Sequence, residues 1–149
     1  MAIAFDTSVL LYALLEPTTV KGVSAADLIE RAALVNAIVP AQVLGEILAV
    51  VRRRRPELLD LAIATTGNFT ASFKISSTDG NVIAQAGSLA ARHRLQIWDA
   101  VICAAAIQAG ATHLVTEDMQ DAAALDGLKI INPFDPRNQG ELDRLLPTL

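Results

Sequence analysis

Four carboxylates, Asp6, Glu46, Asp99 and Asp118, each sit where a folded chain would hold a side chain still. Asp6 and Asp118 each follow a short apolar run, and in open α/β sheets ligands bind in the crevice beyond the carboxyl ends of strands. Glu46 lies next to Val43 and Val50 in the i−3 and i+4 directions, at the edge of an apolar helical face. Asp99 opens the most apolar helical stretch of the chain. Taken singly, each has an ordinary explanation. Asp is common in loops and caps, and a glutamate at such an edge can reach solvent. An acid in a first helical turn gains about 0.3–1 kcal/mol from the helix dipole.

Taken together, the four imply chemistry. Two unit charges about 4 Å apart repel by about 4 kcal/mol at an effective dielectric of 20. No Lys or Arg lies within the four local segments, so acids that shared a pocket would have to take up protons or a divalent cation. Oxygen-only ligands suit Mg²⁺ or Mn²⁺, and the absence of a Cys/His cluster argues against zinc. A metal ion of this kind lowers the pKa of its bound water and stabilises developing negative charge, which suits a hydrolytic reaction. On this reading Asp6 and Asp99 ligate one ion, and Glu46 and Asp118 do so directly or through water. One of the carboxylates would also orient the attacking water. Ser8 and Thr116 are candidates to hydrogen-bond a ligand or phosphate, and Glu117 and Asp121 are further acids beside Asp118.

The elements that must position these groups follow from apolar periodicity. Short strands are expected over 3–5, 37–39, 73–75, 113–116 and 128–131. Helices are expected from Val9 to Leu15, with Thr7 or Ser8 as cap, and over 24–33, 41–54, 57–64, 82–91 and 100–107, the last ended by Gly110. From Asn132 the chain reads as a tail with prolines and a polar stretch. Strands alternating with helices predict a single α/β domain with a central, mainly parallel sheet, its core over about 2–133 and a short tail over 134–149. Trp98 is expected as a core anchor, Tyr12 as packing, Cys103 as a small apolar filler, and His93 and His113 as ordinary packing or surface residues.

Composition is compatible with this. At 149 residues, 52% hydrophobic and 19% charged, the chain can bury a real core, and no segment is long and apolar enough to span a bilayer. The lone Cys103 permits no internal disulfide, and the first residues lack a basic signal region, which together suggest a cytoplasmic protein. A net charge of −4 speaks against nucleic acid as partner if charge alone is considered. The bases are clustered, however: Arg52, Arg53, Arg54 and Arg55 form one group, and Arg92 and Arg94 flank His93 in another. Both groups suit helix C-termini, and both are candidate RNA contacts, in which case activity would fall steeply with salt.

The segments FDTSVLLYAL, QVLGEILAV, IWDAVICAAA and HLVTEDMQD, in this order and spacing, resemble the PIN domain, and most of all the VapC-type toxins of bacterial toxin–antitoxin pairs. The resemblance runs from Asp6 to about Pro133. It implies a three-layer α/β/α sandwich and Mg²⁺- or Mn²⁺-dependent cleavage of RNA. It places the family acids on Asp6, Glu46, Asp99 and Asp118, the last two positions after Thr116. It also implies a small antitoxin partner, which often inserts a basic side chain among the carboxylates, and a homodimer. Ser8 stands where many relatives carry Asn. Two other classes compete. A haloacid-dehalogenase-like phosphatase requires D-x-D-x-T, but the segment here is Asp6-Thr7-Ser8-Val9-Leu10, without the second acid. A phosphoreceiver domain lacks its paired acids for the same reason. A catalytically silent PIN-like scaffold is a reading of another kind, although a scaffold has little reason to keep all four acids.

Overall fold

The computed structural model describes residues 2–149. Short aliphatic runs build a six-stranded sheet, in the order β3-β2-β1-β4-β6-β5. β1 (Ala2–Phe5), β2 (Ile38–Pro40), β3 (Lys74–Ser76), β4 (Ala111–Val115) and β6 (Leu128–Ile131) are parallel, and β5 (Ala124–Leu125) adds an antiparallel edge. Around it stand α1 (Thr7–Leu15), α2 (Val20–Ala33), α3 (Ala41–Arg54), α4 (Leu59–Ser72), α5 (Gly80–His93), α6 (Ile97–Gln108) and α7 (Gln139–Leu145). This is the expected α/β/α sandwich with a mainly parallel sheet. Strand order reverses between β1 and β4: β2 and β3 extend to one side, β6 and β5 to the other. A crevice therefore opens beyond the carboxyl ends of β1 and β4, where parallel sheets bind ligands.

Each strand and helix forms for local reasons. Ile3, Ala4 and Phe5 are buried on both faces of the central strand, and Leu114 and Val115 are buried beside them. In α6 every residue from Ala100 to Ala106 is fully buried, because the helix is enclosed between the sheet and its neighbours α5 and α3. The amphipathic α3 buries Val43, Ile47 and Val51, one stripe at i, i+4, i+8, and leaves its last three arginines exposed.

Several boundaries differ from the sequence reading, each for a physical reason. The cap of α1 is neither Thr7 nor Ser8 but Asp6, whose Oδ1 accepts from the Thr7 backbone N–H at 2.7 Å. β1 thus passes straight into the helix. α2 begins at Val20 rather than near residue 24, capped by Thr19 Oγ1, which accepts from Gly22 N at 3.0 Å. Its first-turn residues Val20 and Val23 are exposed, so apolar periodicity gave no sign of that turn. α4 continues to Ser72 instead of stopping near residue 64. Thr65 and Thr66 turn their hydroxyls back onto the carbonyls of Leu61 and Ile63, at 2.8 and 3.1 Å, so these β-branched polar residues do not break the helix.

The expected tail contains a helix. α7 buries Leu142 in the core, with Leu146 just beyond it. The nearly buried Arg31 of α2 ties this segment down, donating to Asp143 Oδ1 at 2.8 Å and to the Pro147 carbonyl at 2.8 Å. The hairpin β5–β6 was also unexpected, although Asp126-Gly127 turns it with φ of 51° and 87°, the signature of a two-residue turn. Trp98 is not a core anchor: it is 48% exposed on the first turn of α6, whose buried face starts only at Ala100.

Gly22 fixes the α1–α2 corner. A Cβ there would lie 1.7 Å from the Glu16 carbonyl oxygen and 3.0 Å from that of Tyr12, both backbone atoms that cannot swing aside. Gly22→Ala is therefore expected to destabilise the fold by about 3 kcal/mol or more, read as a lower denaturation midpoint in urea. An unchanged midpoint would mean that the two helices do not meet so closely.

Candidate active site

Four different elements carry the four acids to the crevice. Asp6 comes from the end of β1, Glu46 from the second turn of α3, Asp99 from the first turn of α6, and Asp118 from the loop after β4. Asp6 is only 3% exposed. Its backbone N–H donates to the Val115 carbonyl at 3.0 Å, which extends the β1–β4 ladder by one rung and locks the residue in place. Its Oδ2 accepts from Thr116 Oγ1 at 2.6 Å, and Thr116 Oγ1 in turn accepts from the Asp118 N–H at 3.1 Å. Thr116, fully buried, thus couples the first acid to the loop that carries the fourth.

Glu46 is held from both sides. Thr7 Oγ1 donates to its Oε2 at 2.6 Å, and Gln42 Nε2 to its Oε1 at 3.3 Å. Neither partner was singled out from the sequence for this role. Gln42, four residues before Glu46 on one helix face, carried the only local signal. Gln96 caps α6 through its Oε1, accepting from the N–H groups of Trp98 and Asp99 at 3.0 and 3.1 Å, so the Asp99 side chain is spared that task.

The electrostatics follow from this convergence. Burial raises the Asp6 carboxyl from 3.8 to about 6, although the bonds from Thr116 and Thr7 act against it; the charges of Asp118 and Asp99 add to the rise. Burial and then the charges of Glu46 and Asp118 raise Asp99. Burial followed by Glu117 and Glu46 raises Asp118. Cys103 lies in the same field: burial first, then Asp6 and Asp99, push its thiol up to about 12, which suits an inert filler. Among the described residues, no three Asp, Glu, His or Cys side chains are drawn into a formed ligand cage. The acids instead act on one another through their charges: Asp118 and Asp99 on Asp6, Glu46 and Asp118 on Asp99, and Glu46 on Asp118. Carboxylate oxygens are the donors that hard divalent ions such as Mg²⁺ and Mn²⁺ prefer.

The secondary candidates separate clearly. Ser8 Oγ accepts from the Glu117 N–H at 3.3 Å, so it shapes the loop. Glu117 is engaged elsewhere: Tyr12 donates to it at 2.5 Å and Lys21 forms an ion pair with it. Burial pushes its carboxyl up, but the bonds from Lys21 and Tyr12 and the Lys21 charge outweigh this and lower it overall. Asp121 is turned away to clamp the C-terminal segment, accepting from Asn132 N at 2.8 Å and from Asn138 Nδ2 at 3.1 Å. Of the three acids in this loop, Asp118 is the one whose charge acts on both Asp6 and Asp99. Tyr12 packs edge-on to Phe134, as expected of a packing residue, but its hydroxyl also reaches this loop.

The PIN domain family matches over residues 3–128. This chain belongs to it. Solved structures share the PIN fold at low sequence identity. A toxin–antitoxin complex from Klebsiella pneumoniae aligns with a TM-score of 0.65 and 18% identity, over 90% of this chain and 98% of the other. VapBC2 from Rickettsia felis, bound to a DNA fragment from its promoter, gives 0.68 and 18%, over 89% and 98%. VapC20 of Mycobacterium tuberculosis, a toxin that cleaves the sarcin–ricin loop, gives 0.61 and 20%, over 76% and 87%. Among curated protein sequences no relative matches. In this PIN domain, four points of the chain bring Asp6, Glu46, Asp99 and Asp118 to the switch point of the sheet.

The basic clusters divide as well. Arg92 spends both terminal nitrogens on Asp126, at 2.7 and 2.6 Å, and Arg94 takes the left-handed turn that ends α5. Arg55 pairs with Glu57, whereas Arg54 borders a cavity shared with Asp118. His93 faces Asp126 at 3.3 Å and His113 faces Glu141 at 3.5 Å, and neither belongs to the acidic site.

Ionising Asp6 costs folding free energy, because its native carboxyl holds a proton up to about pH 6 and its unfolded one only to 3.8. The penalty is absent below about pH 4, grows towards pH 6, and above that is on the order of 3 kcal/mol. Asp6→Asn removes it. In EDTA at about pH 7.5 this variant is expected to melt above the parent, and the two melting temperatures should converge as the pH falls to about 4. A variant that melted lower at neutral pH would contradict a penalised buried charge.

Proposed function

We propose that this PIN domain is a metal-dependent ribonuclease, the toxin of a type II toxin–antitoxin pair, with the chain over 1–149 acting as a single domain. The observation that carries this reading is the buried Asp6 carboxyl, held by Thr116 at the strand switch point with Asp99 and Asp118 close enough to raise it. Such a site gains from a divalent cation because the ion relieves both desolvation and mutual repulsion. Asp6, Glu46, Asp99 and Asp118 would hold Mg²⁺ or Mn²⁺, which when bound would polarise a phosphodiester and supply an activated water.

The chain's own groups would do the rest. Thr116 fixes the Asp6 carboxylate and the Asp118 loop at once, and Thr7 and Gln42 orient Glu46, whereas among the described residues no side chain holds the carboxylate of Asp99 or of Asp118. We assign Asp6 and Asp99 to direct ligation, and Glu46 to holding the ion through the water that it orients. The fold shared with the VapC20 toxin, which cleaves RNA, supports a ribonuclease, and the shared fold of toxin–antitoxin complexes supports a small protein inhibitor. Among the described residues no helix is long and apolar enough to cross a membrane. We place the protein in the cytoplasm and take it to be a homodimer, with Ile83 of α5 and Ile97 and Trp98 of α6 as exposed apolar residues available to a second copy.

The test is cleavage of total RNA by the purified chain with Mn²⁺, blocked by EDTA. Asp99→Asn is expected to lower the rate by about a hundredfold or more while leaving the melting temperature in EDTA close to that of the parent or above it. Mn²⁺ should raise the parent's melting temperature but not that of the variant. Full cleavage by Asp99→Asn, or cleavage that persists in EDTA, would remove the metal mechanism.

A further inference from the structure

The loop that carries Asp118 is fastened on both sides of that residue. Before it, Glu117 is held at two points by one helix: its N–H donates to Ser8 Oγ at 3.3 Å, and its Oε1 accepts from the Tyr12 hydroxyl at 2.5 Å. Ser8 and Tyr12 stand four residues apart on α1, about 6 Å along its axis. Lys21 of α2 pairs with the other carboxylate oxygen of Glu117 and lies over the rings of Tyr12 and Phe134. After Asp118, the Met119 sulfur meets Cys103 Sγ at 3.7 Å, and Asp121 accepts from Asn132 and Asn138. Asp118 donates its N–H to Thr116 Oγ1 at 3.1 Å, but among the described residues no side chain holds its carboxylate.

We propose that Tyr12 and Lys21, acting through Glu117, are positioning residues that hold the Asp118 carboxylate where it helps to bind the divalent ion. This rests on the reading of the four acids as a metal site, although the brace itself can be measured without metal. A small hard ion tolerates little error in the placing of its oxygens. A carboxylate that no side chain holds must be placed through its backbone, and here the backbone is referred to α1. Asp6 caps that helix, and Ser8 and Tyr12 lie on its first two turns, so one rigid element sets both Asp6 and the neighbour of Asp118. The tight corner at Gly22 brings α2 against α1 and sets Lys21 beside Tyr12. Neither Tyr12 nor Lys21 touches the ion. Charge alone would give Lys21 the opposite effect, because a cation beside a metal site repels the metal, and an unpaired Glu117 would add negative charge next to Asp118. Cutting a brace weakens ion binding, whereas removing an electrostatic brake strengthens it. The sign of the change separates the two.

The experiment compares the parent chain with Tyr12→Phe, Lys21→Met, Lys21→Arg and the control Lys129→Met, which breaks the ion pair with Glu141 between β6 and α7. Mn²⁺ affinity is measured by titration calorimetry on the purified chain freed of metal, without RNA. Tyr12→Phe and Lys21→Met are each expected to weaken Mn²⁺ binding about tenfold. Lys21→Arg, which keeps the ion pair, and Lys129→Met should stay close to the parent. In an Asp118→Asn background Tyr12→Phe should cause no further loss, because the brace acts through that carboxylate. In EDTA, hydrogen exchange of the Asp118 amide, followed by NMR, should speed up about tenfold in Tyr12→Phe and Lys21→Met, while the amides of β1 and β4 keep the parent's protection. Unchanged or tighter Mn²⁺ binding by these two variants would overturn the proposal, as would an equal loss in the Asp118→Asn background. No Mn²⁺ uptake by the parent, with the Asp118 amide still loosened in the variants, would uphold the brace and sink the metal reading alone.

Discussion

The fold places a carboxylate, Asp6, at the end of its central strand, where water is nearly excluded, and much of the surrounding structure answers to that choice. Transfer of a charge into such a place is costly unless it is hydrogen-bonded. Here the Thr7 N–H and the Thr116 hydroxyl supply the bonds, yet the carboxyl still holds its proton to about pH 6. The same residue caps α1 and continues the β1–β4 ladder through its own N–H. One residue therefore sets the entry angle of a helix, joins two strands beyond their formal ends, and opens the crevice to any ion that can relieve its charge.

Charge is sorted around this point with some economy. Acids that would add to the repulsion without helping are neutralised or turned away: Glu117 by Lys21 and Tyr12, Asp121 by Asn132 and Asn138. Lys21 also rests over the rings of Tyr12 and Phe134, at 5.2 and 5.3 Å from their centroids, so the pair that quenches Glu117 also fastens the C-terminal segment to α1 and α2. Arg31 does similar work further along α2, bonding Asp143 and two carbonyls of the last residues. A net charge of −4 therefore says little about the surface a partner meets. It sums an acidic crevice, internally paired ions, and a run of arginines at the end of α3.

The elements that the sequence revealed best are those whose local signals and tertiary roles agree. β1, β6 and α3 were legible because their apolar residues meet a core, on both faces of the buried strands and once per turn of the helix. The start of α2, the hairpin strand β5 and the terminal α7 were not. Val20 and Val23 face solvent, β5 has two residues, and α7 buries little besides Leu142. Trp98 misled for the converse reason: a large aromatic beside a buried helix suggests a core anchor, but it precedes the turn at which burial begins.

The sequence by itself determined which residues could form the site, since four acids after strands or on helix faces, at family spacing, can be read without coordinates. It also determined the fold class, because the alternation of periods dictates layers. Only the tertiary structure decided which acids share a field and which do not. Asp118 and Asp121 are three residues apart and look alike on paper, but one faces Asp6 and the other clamps a distant turn. The same holds for the arginines: Arg54 borders the cavity that Asp118 lines, whereas Arg92 is spent on Asp126. Periodicity records how much of a side chain is buried, whereas charge coupling depends on distances across the fold, and these arise only once residues far apart in the chain have packed together.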